Sequence, residues 1–220
     1  MVLKNFLAID TSGNYMSVVA RKNGEFFSAF LPDCAMSHSV LLMETIHDVL
    51  ARAQMRLEEC DFFAAAVGAG SFTGIRIGIS AVKGFALAMG KPTLGVTSFD
   101  TLAYNAIDGS VGGSTGGSGK ILCLINALHD CYYACGYENG KIVYAPAFLT
   151  ETEVLELVGQ GFSLVAGGEL PIALKANVHI VSPLVGLQNA VCALSQKENA
   201  FGALTALYVR KSSAEINLCK

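Results

Sequence analysis

Two Asn-Gly dipeptides, Asn23-Gly24 and Asn139-Gly140, stand 116 positions apart, and each lies between two runs of apolar residues. Asn-Gly suits the positive-φ positions of a type I′ turn, so each pair is expected to close a β-hairpin. A further apolar run precedes each hairpin. In the first half the strands read Leu3–Ile9, Tyr15–Arg21 and Glu25–Phe30. A helix follows at about Ser39–Gln54, then a strand at Phe62–Val67 and a helix at about Gly74–Met89. In the second half the strands read Lys120–Asn126, Cys131–Glu138 and Lys141–Ala145. A helix follows at Thr150–Val158, then strands at Ser163–Ala166 and Val178–Val181. Thr150 with Glu153 has the spacing of a capping box.

The order repeats, so the chain reads as two copies of one βββαβα unit. Such duplication is the α/β architecture of the actin, hexokinase and Hsp70 class (the actin-like, or ASKHA, fold), in which two similar domains face each other across a cleft. That is an analogy of fold and not of activity. The expected division is 1–104 for the first domain, joined by the C-terminal tail, then 105–119, then 120–210 for the second domain and 211–220 for the tail. The stretch Asp108–Gly119 is rich in Gly and Ser and reads as a solvated connection.

Hydrophobic residues make up 52% of the 220 residues and charged residues 15%, enough for a core and for some surface covered by another chain. No apolar run is read as reaching the roughly 18–20 residues of a membrane span. The first residues lack a leader pattern, so the expected location is cytoplasmic, with no membrane partner. Net charge is −3 and no basic footprint stands out, so any RNA in the pathway is expected to be gripped by another subunit. The seven cysteines are irregularly spaced, and Cys131 and Cys135 form CxxxC rather than CxxC. Reduced, structural thiols are expected rather than a metal site.

Four segments could carry chemistry. Asp10-Thr11-Ser12 follows the first strand, where an actin-like ATPase turns its backbone toward phosphate and metal; the plainer reading is an Asx-turn. The segment Gly68–Arg76 carries Gly70 and Ser71 before a helix and offers backbone N–H groups to an anion. It lacks the Gly-Lys-[Ser/Thr] of a P-loop. The helix beyond it places Gly74, Gly78 and Ala81 on one face. Each interior glycine costs about 1 kcal/mol relative to alanine, so close approach of another backbone is the expected offset. His38 opens the other helix, where Leu42, Ile46, Val49 and Ala53 form the core stripe. Val40, Met43 and Leu50 lie off it, and a second apolar face covers something besides its own core. Position 42 is Leu, so His38 has no i+4 metal partner and reads as a capping or surface histidine. The fourth segment, Asn126-Ala127-Leu128-His129-Asp130, is a poor phosphate turn, and Gly167-Gly168-Glu169 reads equally as a loop.

Leu7-Ala8-Ile9-Asp10-Thr11-Ser12, His38-Ser39 with Leu41-Leu42, Val67–Gly78, Lys83-Gly84-Phe85-Ala86, Gly95-Val96-Thr97-Ser98 and Leu207-Tyr208-Val209-Arg210 occur in one order. In these motifs the chain resembles the TsaB (YeaZ-type, glycoprotease-like) family along nearly its whole length. The resemblance implies an actin-like fold and a non-catalytic scaffold that binds and activates a TsaD-type transferase. It implies work with a TsaE-type ATPase in making N6-threonylcarbamoyladenosine at tRNA position 37, with tRNA met through the complex. It also implies a homodimer when isolated and leaves room for ATP or ADP with Mg at the partner interface. The expected partner interface is His38, Val40, Met43, His47, Leu50, Gly74, Gly78, Ala81 and Lys83. The expected nucleotide or phosphate positions are Asp10, Thr11, Ser12, Gly70 and Ser71. No catalytic residue and no metal ligand are expected. Ala69 stands where the family often has Pro, and Asn126-Ala127-Leu128 where it often has Asp-Ala-Arg; the loss of both charges at the second place weakens the case for nucleotide binding by this chain. The rival reading is an active ATP-dependent phosphotransferase with Asp10 on metal.

Overall fold

A computed structural model describes residues 4–107, 119–127, 130–168, 170 and 178–210. Both Asn-Gly pairs turn as their sequence requires: φ is +52° and +95° at Asn23 and Gly24, and +50° and +72° at Asn139 and Gly140. The first turn joins β2 (Tyr15–Lys22) to β3 (Glu25–Pro32), and β1 (Phe6–Asp10) pairs antiparallel with β2. Helix α1 (His38–Arg52) leads to β4 (Phe62–Ala66), helix α2 (Phe72–Met89) to β5 (Thr93–Val96), and α3 (Ser98–Ile107) closes the half. The sheet order is β3-β2-β1-β4-β5, with β1, β4 and β5 parallel.

The second half follows the same order as far as β9. Strands β6 (Lys120–Asn126), β7 (Cys131–Glu138) and β8 (Lys141–Thr150) precede α4 (Glu151–Gly159), β9 (Phe162–Ala166), β10 (Val178–Ile180) and α5 (Pro183–Leu194). The sheet runs β10-β9-β6-β7-β8, the counterpart of the first strand for strand. Thr150 caps α4 with Glu153 in a capping box, as the spacing requires. The first copy is longer than βββαβα, because β5 and α3 follow α2; in the second copy β10 and α5 follow β9, and residues 171–177 between β9 and β10 lie outside the described residues. Thr97 caps α3 through Asp100, whose carboxylate accepts from the Thr97 backbone N–H and hydroxyl. This helix runs on to Ile107, past the residue-104 boundary expected for the first domain. Residues 1–3, 108–118, 128–129, 169, 171–177 and 211–220 lie outside the described residues. They include most of the Gly/Ser-rich connection, Leu128, His129, Glu169 and the expected tail.

The added helices are exchanged between the sheets. α5 packs Leu187, Ala190 and Val191 on Phe6, Ala8, Val19, Phe62 and Leu94 of the first sheet. α3 packs Phe99, Leu102, Ala103 and Ala106 on Cys123, Cys135, Tyr137 and Val165 of the second. The two helices meet between the sheets, where Gly186 lies against Thr101 O. On the far side of the first sheet α1 and α2 cover Leu7, Ile9, Met16, Val18 and Phe63. The 18 residues of α2 have a mean hydropathy of 1.3, so this helix does reach span length. That corrects the reading of the sequence. The apolar character comes from a stripe (Ile75, Ile79, Val82, Ala86) laid on the sheet and from small residues between, while Arg76 and Lys83 stand exposed.

Candidate functional site

Two turns meet at the C-terminal ends of β1 and β4. Asp10, Thr11 and Ser12 are 0%, 1% and 2% exposed. Asp10 Oδ1 accepts from the Ser12 backbone N–H at 2.8 Å and from the Ser12 hydroxyl at 2.7 Å, which is an Asx-turn. Asp10 Oδ2 accepts from the Tyr15 hydroxyl at 3.1 Å. Burial raises the Asp10 carboxyl above its ordinary value, and the bonds from Ser12 and Tyr15 partly offset this. Burial and the neighbouring Asp10 push the Tyr15 phenol well above its ordinary range.

The Gly68–Gly74 loop grips this turn. The Ser71 backbone N–H donates to Ser12 O at 2.7 Å, and the Ser98 hydroxyl donates to the Ser12 hydroxyl at 2.9 Å. Thr11 donates from its hydroxyl to Gly74 O at 2.7 Å. A Cβ on Gly70 would overlap Ser12 O, a Cβ on Gly74 would overlap Thr11 O, and one on Gly78 would stand 2.7 Å from Thr11 Oγ1. The close backbone expected beside the helix glycines is therefore the chain's own Asp10–Ser12 turn. Ser71 caps α2 by accepting from the Gly74 N–H at 3.2 Å. The Ser71 and Gly74 N–H groups of the loop, which an anion would need, are thus engaged within the chain.

His38 departs from expectation. It is 2% exposed, and its Nε2 lies 2.9 Å from Tyr15 O. The ring folds under the start of β2 instead of capping or facing solvent, so it cannot touch a partner. Gly74 and Gly78 are buried against Thr11, so these two leave the expected interface as well, while Leu50 is half-buried on the core below α1. Val40 and Met43 are 75% and 56% exposed, His47 and Lys83 are exposed, and Ala81 is half-buried. Two residues were missed, Met36 at 96% and Leu87 at 87% exposed. Leu87 falls between the buried positions Val82 and Ala86 and the helix end, and the off-stripe test applied to α1 would have found it. Met36 precedes α1 and has no periodic signal. α1 and α2 touch on one side of the first sheet, and both carry exposed apolar residues.

Gly167 rests on Pro183 and Leu102 in a plain packing loop, and Glu169 lies outside the described residues. Asp130 stands in the turn just before β7, after the undescribed pair 128–129. Cys34, Cys60, Cys123 and Cys135 are buried free thiols, and burial pushes Cys60 up to about 12 and Cys135 up to about 11. Among the described residues no three His, Cys, Asp or Glu side chains gather closely enough to hold a metal ion.

Two matching sheets with exchanged helices define an actin-like, two-lobed α/β protein. A model of the TsaD family, described as tRNA N6-adenosine threonylcarbamoyltransferase, matches residues 29–216, and the chain belongs to that family, with its resemblance on the TsaB (YeaZ-type) side. It is 31% identical over 135 residues to the tRNA threonylcarbamoyladenosine biosynthesis protein TsaB of Escherichia coli (strain K12), covering 61% of this chain and 55% of that one. It is 33% identical over 100 residues to the TsaB protein of Buchnera aphidicola subsp. Schizaphis graminum, covering 46% and 47%. The chain thus spans about half the length of the curated relatives it matches. A solved Pseudomonas aeruginosa protein with similarity to peptidase YEAZ superposes with a TM-score of 0.73 at 23% identity, covering 94% of this chain and all of that one, a likeness of fold.

Proposed function

We propose that this chain is a non-catalytic scaffold subunit in the synthesis of N6-threonylcarbamoyladenosine on tRNA, docking a TsaD-type transferase in the cytoplasm. The observation that carries this is the exposed apolar face of α1 and α2: Val40, Met43 and Leu87 in the helices, with Met36 just ahead of α1. Exposed apolar residues gathered on adjacent elements mark an interaction site. Lys83 and His47 supply a polar rim, and Ala81 lets a partner helix come close. The names of the relatives support the pathway, and the resemblance supports a reading with the transferase as partner, a TsaE-type ATPase as companion and tRNA reached through the complex. A second copy of the chain would cover the same face in the isolated state.

The buried Asp10 turn supports a silent role. A carboxylate that is 0% exposed and already accepts three hydrogen bonds is spent mostly on holding its own turn. The rival phosphotransferase needs that carboxylate in the cleft. The test is reconstitution: transferase, ATPase and tRNA with and without this chain, beside Mg-ATP turnover by the chain alone. The proposal expects modification only when the chain is present and no turnover by the chain alone. Turnover by the chain alone would overturn it.

A further inference from the structure

Leu207-Tyr208-Val209-Arg210 is a motif that a docking role on α1 and α2 leaves unused. After α5 the chain returns to the first half. The Gly202 N–H donates to Thr93 O at 2.9 Å, and the Thr93 hydroxyl donates to Gly202 O at 2.5 Å. Leu204 is buried in the core under α1 and α2. The Leu207 N–H donates to Val67 O at 2.7 Å, and Leu207 O lies against Gly68, where φ is +110° and a Cβ would stand 2.5 Å away. Tyr208 lies flat on Phe72 at the first turn of α2, with centroids 4.2 Å apart and planes 3° apart. Arg76, one turn on, donates from Nε to the Tyr208 hydroxyl at 2.9 Å.

The same segment then reaches the other half. Leu207 and Val209 pack on the cluster that α3 shares with Cys123, Cys135 and Val165 of the second sheet. The Arg210 guanidinium ends over the Phe148 ring of β8, 4.9 Å from its centroid. A few residues therefore touch β4, β5 and α2 on one side and β8 on the other.

The halves are also joined where α3 meets α5. There Gly186 lies against Thr101 O, Asn105 Nδ2 donates to Ser182 O at 2.6 Å, and the Tyr137 hydroxyl donates to Asp100 Oδ1 at 2.9 Å. The two helices cross in close contact at Gly186, and that crossing is the pivot about which one half would turn on the other. An attachment away from the pivot removes that rotation.

We propose that residues 202–210 form a clasp that fixes the angle between the two halves, with the Arg210–Phe148 contact as its outer fastening. Cation–π contacts at exposed sites are weak singly, so losing the Arg210 contact should open the clasp about two- to five-fold more often. Arg210 is exposed, and Arg210→Ala leaves the packing of the segment on the first half in place.

The test uses the full chain with ketone-bearing residues at positions 83 and 141, both exposed lysines, one on α2 and one at the start of β8. Spin labels on the ketones report the distance between the halves without touching the cysteines. The parent should give one narrow distance distribution, Arg210→Ala a broader one, and Tyr208→Ala with Arg210→Ala the broadest. In hydrogen exchange the Leu207 amide should speed up about two- to five-fold in Arg210→Ala, while the Leu7 amide in β1 keeps its rate. The clasp is refuted if the double variant keeps the parent's distribution. It is equally refuted if Leu7 and Leu207 accelerate together, which would mean general loosening.

Discussion

Gly74→Ala and Gly84→Ala make the same chemical change in the same helix, and they should move stability in opposite directions. In an ordinary helix interior, alanine for glycine is worth about 0.5–1 kcal/mol of added stability. Gly84 is exposed, and a Cβ there meets nothing within 4 Å. Gly84→Ala should keep the full gain and raise Tm by about 1–4 °C for a chain of this size. At Gly74 the new methyl would overlap Thr11 O, a backbone atom that cannot swing aside. Overpacking costs about 1–3 kcal/mol, and displacing the turn also strains the Thr11 hydroxyl bond to Gly74 O, worth about 1 kcal/mol. Set against the helix gain, the net is a loss of about 1–3 kcal/mol and a Tm lower by about 3–10 °C. Thermal and urea unfolding of the two variants beside the parent measure this. If Gly74→Ala were as stable as Gly84→Ala, the Asp10–Ser12 turn would not be what the helix glycines accommodate.

Two further outcomes follow from single side chains. The Asp10 carboxyl is raised in the folded chain, so the fold favours its protonated form. Its contribution is present below the ordinary value of 3.8 and is lost as pH rises through the raised value. The stability of the parent relative to Asp10→Asn should therefore fall as pH climbs above 3.8, and paired urea midpoints at acid and neutral pH should show the parent losing ground. Thr150→Ala removes the α4 cap and its bond to Glu153, and should lower Tm by about 2–4 °C without changing the rest of the far-UV spectrum.

Much of the fold was legible because it is written locally. The Asn-Gly turns, the Thr150–Glu153 box and the stripe Leu42, Ile46, Val49, Ala53 each depend on residues a few positions apart. α3 and α5 were not read, although Phe99, Leu102, Ala103 and Ala106 have helical spacing. Their runs are short, and each packs on the sheet of the opposite half, a contact no local pattern announces. The candidate site was legible in part. Off-stripe apolar residues on α1 pointed to an exposed face, and Val40 and Met43 lie on it. Leu50 is half-buried, with part of its side chain on the core beneath. The small-residue face of α2 announced a close approach without saying to what. The answer, Thr11, comes from 63 residues earlier. His38 failed for the same reason, since Tyr15 O, its partner, is supplied by β2.

The docking face is most directly tested by binding of a TsaD-type transferase to Met43→Asp with Leu87→Asp, measured by titration calorimetry beside the parent and Thr150→Ala. Both substituted side chains are exposed, so the variant should fold as the parent does. A charge placed on each of two apolar contacts should weaken the complex by a hundredfold or more, on the order of 3 kcal/mol, while Thr150→Ala binds as the parent does. Unchanged affinity in the double variant would contradict docking through α1 and α2.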